Sequence, residues 1–157
     1  MKMEEFKEII DNFVDKWGDK TEPFRNDFSM KKLNQIESKL NIEFPEAYKY
    51  LLENYHNYYY PRILDNISDK GIEAFDLRDL VKIGEMVELT IAYEKAGMPL
   101  GFIGFASDSM GNMFCFSKEE LQSNERESKV YVFDHDYAKM KELAISFIEW
   151  IQRLATI

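Results

Sequence analysis

The side chains able to do chemistry are few and scattered in this 157-residue chain. It has two histidines, His56 and His135, and one cysteine, Cys115. Asp134-His135-Asp136 places three metal-capable side chains in succession. On a strand, however, successive side chains point to opposite faces, so these three meet one ion only across a turn. The spacing reads as a strand end, with Asp136 free to cap a following helix. Cys115 lies between Phe114 and Phe116 with no cation beside it in sequence. It lacks the surroundings that turn a thiol into a nucleophile and reads as structural. Ser107 and Ser109 flank Asp108 without a G-x-S-x-G elbow. Gly101, Gly104 and Gly111 do not spell a dinucleotide fingerprint, and no helix follows them. The residues therefore point to no catalytic group, no metal and no cofactor.

The charge balance bounds the partner. Lys and Arg number 20 against 29 Asp and Glu, a net charge of −9. Divided at residues 60 and 100, the chain carries −3 in each part, so no acidic tail stands apart. An evenly acidic surface argues against nucleic acid, whose phosphates need clustered Lys and Arg. It suits a basic protein, whose approach it accelerates, and equally suits ordinary solubility. Hydrophobic residues make up 45% and aromatics 15%, which excludes a disordered chain. A domain of this length buries about 70% of its unfolded surface. No apolar run approaches the roughly 20 residues of a membrane helix. The N-terminus is charged and periodic, unlike a signal peptide, and one cysteine suits a reducing cytoplasm.

The elements that would carry these residues follow from periodicity. Met3, Phe6, Ile10, Phe13, Val14 and Trp17 mark an amphipathic helix, with Gly18 as a left-handed C-cap. Residues 19–28 form a connector that Phe24 and Phe28 hold to the core. Ser29 caps a helix with Leu33, Ile36 and Leu40 inward, and Pro45 opens a third with Tyr48, Leu51, Leu52 and Tyr55 inward. Tyr58–Leu64 reads as a strand, demoted toward an edge by Pro61. Turns at Asp65-Asn66 and Ser68–Gly71 bracket Ile67, and Ile72–Leu77 reads as another strand. Asp79 caps a helix with Leu80, Ile83, Val87 and Ile91 inward, ended by Gly97 and Pro99. Gly101–Phe116 is a hairpin with a polar turn, Ser107–Asn112, and belongs at the middle of the sheet. Lys129–Phe133 is a further strand. A last helix, capped by Asp136, carries Met140, Leu143, Ala144, Phe147, Ile148, Ile151 and Leu154 on one stripe. Short connections between strands imply antiparallel pairing. The fold class is α+β, an antiparallel sheet of about four to six strands flanked by N-terminal helices and a C-terminal helix.

In Tyr58-Tyr59-Tyr60, strand alternation turns Tyr59 away from Tyr58 and Tyr60. One face then shows tyrosine to solvent, as protein-recognition surfaces do. The same cluster is equally compatible with core packing, its hydroxyls at the rim.

Ile36-Glu37-x-x-Leu40-x-Ile42-x-Phe44-Pro45-x-x-Tyr48-x-x-Leu51-Leu52 resembles the signature of the SUKH superfamily, which includes the Smi/Knr-type fungal cell-wall regulators. Trp17, the hairpin around Gly111-Asn112 and the closing Ser146-Phe147-x-x-Trp150 are similar too, so the resemblance extends over nearly the whole chain as one domain, 1–157. Asn54-Tyr-His-Asn57 departs from the family's frequent Asn-Gly-Gly. The resemblance implies an antiparallel α+β fold without catalytic residues. It also implies a cytoplasmic immunity protein that binds and neutralises a polymorphic toxin, frequently a nuclease. The partner expected is a basic toxin domain, with no nucleic acid and no membrane. The contact residues chosen by polarity and loop placement are Tyr58, Tyr60, Asp65, Asp69, Glu73, Asp108, Asn112, Asp134 and Asp136. A general interaction module without a toxin is the alternative, and a small-ligand protein or enzyme the third.

Overall fold

The computed structural model describes residues 3–20, 28–123 and 127–157. Its first helix, α1 (Met3–Trp17), buries Phe6, Ile10, Phe13, Val14 and Trp17, the stripe read from the sequence. Gly18 is not the left-handed cap expected there. Its N–H continues the helix to the Val14 carbonyl at 2.7 Å. Glycine is needed for close approach instead, since a Cβ would stand 2.8 Å from that carbonyl and 2.9 Å from the Tyr58 ring. Strand β1 (Asp19–Lys20) then pairs antiparallel with β2 (Tyr58–Tyr59). The expectation for Phe24 lies outside the described residues, while Phe28 stacks on His56 with ring centroids 5.2 Å apart.

Helix α2 (Met30–Leu40) is capped by the Ser29 hydroxyl, which accepts from Lys32 N–H, and buries Leu33. Helix α3 (Glu46–Tyr55) buries Tyr48, Leu51 and Leu52, with Pro45 as its N-cap, one residue earlier than expected.

The next stretch departs from the sequence reading. Of Tyr58–Leu64, Tyr58 and Tyr59 alone form a strand, and Ile63–Lys70 is a helix, α4, ended by left-handed Gly71. Asp65, Asn66, Ser68 and Asp69 are turn-forming types, but Ile63 and Ile67 lie one turn apart and are both buried. Burial of that pair outweighs local preference. Residues 72–77 make no ladder. Asp79 caps no helix, because Asp79–Leu80 is strand β3, paired with the hairpin's first arm. Helix α5 (Met86–Lys95) follows a 3-10 turn at Ile83–Glu85. It turns Met86 and Thr90 inward and leaves Ile91 45% exposed. The Thr90 hydroxyl accepts from the Gly104 N–H at 3.0 Å, a contact that an apolar count overlooks.

The expected hairpin is present as β4 (Phe102–Ser107) and β5 (Met113–Ser117). After the short helix α6 (Lys118–Leu121) comes β6 (Val130–Asp134). Lys139–Ala144, expected in the last helix, is instead strand β7, returning along β6. The last helix, α7 (Phe147–Ala155), starts at Ser146, whose hydroxyl caps it by accepting from Glu149 N–H. The five-stranded sheet runs β3-β4-β5-β6-β7, antiparallel throughout, with the hairpin inside it. The class is α+β, as read.

An aromatic cage forms the core. Phe105 and Phe116 stack with centroids 4.0 Å apart, and Trp150, Phe147, Tyr48 and Phe44 pack around them. Trp17 N–H donates to the Leu154 carbonyl at 3.1 Å, joining α1 to α7. Tyr48 is fully buried, and its hydroxyl has no hydrogen-bond partner among the described residues. Tyr48→Phe keeps the ring contacts and removes a buried polar atom. It should raise stability by about 1 kcal/mol in urea unfolding. A loss of similar size would show the hydroxyl to be satisfied.

Candidate partner-binding surface

The Ser107–Asn112 turn is closed around its own polar groups. Asp108 Oδ1 accepts from the N–H groups of Met110 at 2.9 Å and Asn112 at 2.8 Å, while Oδ2 accepts from Asn112 Nδ2 at 2.8 Å. That contact fixes the Asn112 amide, so its Oδ1 accepts from the His135 N–H at 3.1 Å and from ring Nδ1 at 2.9 Å. His135 therefore carries a proton on Nδ1 and faces Asp136 with Nε2 at 3.4 Å. Gly111 adopts φ +89°, and a Cβ there would meet the His135 ring at 3.0 Å. Asp76, almost wholly buried, accepts from Ser109 N–H at 3.2 Å and Oγ–H at 2.6 Å. This ties the stretch after Glu73 to the hairpin turn.

The residues chosen from sequence fall in separate places. Asp108 and Asn112 are 6% and 5% exposed, so they shape the turn rather than face a partner. Asp134 is half-buried and accepts from Asp136 N–H. Asp136 is exposed in the β6–β7 turn and caps no helix. Tyr60 is fully buried against Phe13, with centroids 4.9 Å apart, and offers a partner nothing. Tyr58 is half-buried, and Arg78 lies over the Tyr59 ring at 5.5 Å. Asp65 and Asp69 are exposed on α4. Glu73 is exposed and lines a hollow of about 690 Å³ with Ile72, Phe75, Lys141, Trp150 and Arg153. Among the described residues no group of three His, Cys, Asp or Glu could hold a metal ion. Cys115 lies in the core, where burial pushes its thiol pKa far above the ordinary range.

Sequence reasoning missed a second acidic and aromatic place. Asp11, on α1, accepts through Oδ1 from two phenols of α3, Tyr50 at 2.7 Å and Tyr55 at 2.5 Å. Burial first, then the Asp11 carboxylate, raises the pKa of both phenols. Tyr55 meets Tyr58 edge to face at 5.5 Å. Beside them Asp11, Asn12, Val14, Asp15, Gly18, Tyr55 and Tyr58 line an open hollow of about 520 Å³. The one sequence signal was the i, i+4 spacing of Asp11 and Asp15 beside the apolar stripe. Nothing local connects them to tyrosines some 40 residues later.

Fold and surface together define a helix-flanked antiparallel α+β protein that presents carboxylates and tyrosines outside an aromatic core. The model of the SMI1 / KNR4 family (SUKH-1) matches residues 28–153, and the chain belongs to that family. Comparison with curated proteins finds no match. Among the described residues no helix is long and apolar enough to cross a membrane.

Proposed function

We propose that this protein is a cytoplasmic, non-enzymatic bacterial immunity protein that binds a cognate toxin, a basic domain, and blocks it stoichiometrically. The observation that carries this reading is the family match over residues 28–153 in a chain whose net charge is −9. Acidic surface steers a basic partner into encounter and favours contacts that a neutral surface cannot make. Of the residues chosen from sequence, Asp65, Asp69, Glu73 and Asp136 are exposed and Tyr58 is half-exposed, so these are the proposed contacts. The buried Asp108–Asn112 pair, bonded to the exposed His135, holds the neighbouring turns in shape for binding. Occlusion of the toxin's active site completes the mechanism and requires no chemistry from this chain.

The test is co-expression with the toxin encoded beside the gene. Cells carrying both should grow, and a one-to-one complex should survive gel filtration, weakening as salt screens the charges. Growth arrest despite expression, with no complex formed, overturns the reading and favours a regulatory interaction module.

A further inference from the structure

We infer that the hollow between α1, α3 and β2 is a receptor for an arginine side chain of the partner. The inference rests on the immunity reading for the partner's identity, while the chemistry stands on the hollow itself. Its lining holds two carboxylates and no cation. Asp11 spends a single oxygen, Oδ1, on both tyrosine hydroxyls, and its Oδ2 has no partner among the described residues. Asp15 lies one turn further along α1, exposed and without an ion-pair partner among those residues. Tyr55 and Tyr58 supply two aromatic walls set 77° apart. A guanidinium is planar, with a fork of donors for carboxylate oxygens and a face that stacks on aromatic rings. Both demands are met in this one place.

Two further observations point to a cation. The chain already places its own ammonium groups over the flanking rings, Lys7 5.5 Å from the Tyr50 centroid and Lys20 6.0 Å from that of Tyr58. Those rings therefore already attract positive charge. The walls are also set in advance. Tyr55 is pinned by Asp11, and Tyr58 lies against Gly18, where any Cβ would collide with its ring. Asp11, Asp15 and Gly18 lie before residue 28, where the family match begins. The receptor is thus half-built from a helix that precedes the matched residues 28–153. That is a suitable place for partner specificity, because the common core need not change when it does.

The experiment has two arms. In the first, N-acetyl-arginine amide is titrated into the full chain at low salt, with N-acetyl-glutamine amide as the neutral control, followed by NMR. Saturable shifts should appear at the Tyr55 and Tyr58 rings and at residues 11–18 with arginine and not with glutamine. Asp11→Asn with Asp15→Asn should abolish them. Asparagine at position 11 still accepts from both phenols, so the fold is kept, which a thermal melt checks. Small shifts spread over all acidic surface, or none, overturn the inference. In the second arm the double variant should bind the cognate toxin about tenfold more weakly, as loss of a charge-assisted fork predicts, and Glu88→Gln, at an exposed position on α5 outside the proposed contacts, should not. Undiminished toxin binding sinks the receptor and leaves the immunity reading standing. Arginine binding in a chain that captures no toxin sinks the immunity reading and leaves the receptor.

Discussion

Asp108→Ala should be among the most damaging single substitutions on this protein's polar surface loops, lowering stability by about 3 kcal/mol. The carboxylate accepts three hydrogen bonds, two from backbone N–H groups and one from the Asn112 amide, at 6% exposure. Alanine leaves all three donors unmatched, and each unmatched buried donor costs about 1–3 kcal/mol, less whatever water recovers at the turn. The loss also frees Asn112, whose Oδ1 orients His135 through its N–H and ring. With a urea m-value of about 2 kcal/mol/M, the unfolding midpoint should fall by more than about 1 M. Asp108→Asn should cost about 1 kcal/mol, because its Oδ1 still serves the two backbone donors while its amide opposes that of Asn112. Equilibrium urea unfolding of both variants decides the matter. A wild-type midpoint for Asp108→Ala would mean that the turn is not held by this side chain and that Asp108 is free to face a partner.

The result bears on how a loop carboxylate is read from sequence. Ser-Asp-Ser-Met-Gly-Asn correctly announces a turn, because those residues bond their own backbone or accept positive φ. The same property consumes Asp108 internally, so polarity in a tight turn is a poor guide to what a partner meets. The helical stripes of α1, α2 and α3 and the arms of the β4–β5 hairpin were legible because one period fits each. The helical stripe of 147–155 was legible too, but residues 139–144 were not, since Met140, Leu143 and Ala144 continue the helical spacing of Phe147 and also suit a strand. Pairing with β6, a tertiary fact, makes 139–144 a strand, and the Ser146 cap starts α7 afterwards. Residues 63–70 failed in the opposite way. Asp, Asn, Ser and Gly spoke for turns, yet the buried Ile63 and Ile67 turn the segment into a helix. The Asp11–Tyr50–Tyr55 cluster has no local signature at all, since a helix–helix contact creates it.

Glu37→Ala should cost about 3 kcal/mol, although glutamates on helices are usually replaceable. Its Oε2 accepts from the Phe44 N–H at 2.8 Å and meets the Lys49 ammonium at 2.8 Å, with the side chain 13% exposed. Its own carbonyl accepts from the Ile42 N–H at 3.0 Å. One residue therefore clamps the link between α2 and α3 that delivers Phe44 and Tyr48 into the aromatic cage. Alanine strands the Phe44 N–H and leaves the Lys49 ammonium its longer contact to Glu43 at 3.9 Å. Glu37→Gln keeps an acceptor for Phe44 and loses the ion pair, so it should cost about 1 kcal/mol. The gap between the two variants separates the hydrogen bond from the charge. A double-mutant cycle with Lys49→Met then isolates the pair, with a coupling of about 1 kcal/mol expected at this depth. The motif glutamate is on this account architectural. Its variants should lose stability, and a folded Glu37→Gln should bind any partner as tightly as the parent. A Glu37→Ala protein as stable as wild type but defective in binding would reverse the assignment and place the α2–α3 link on the recognition surface.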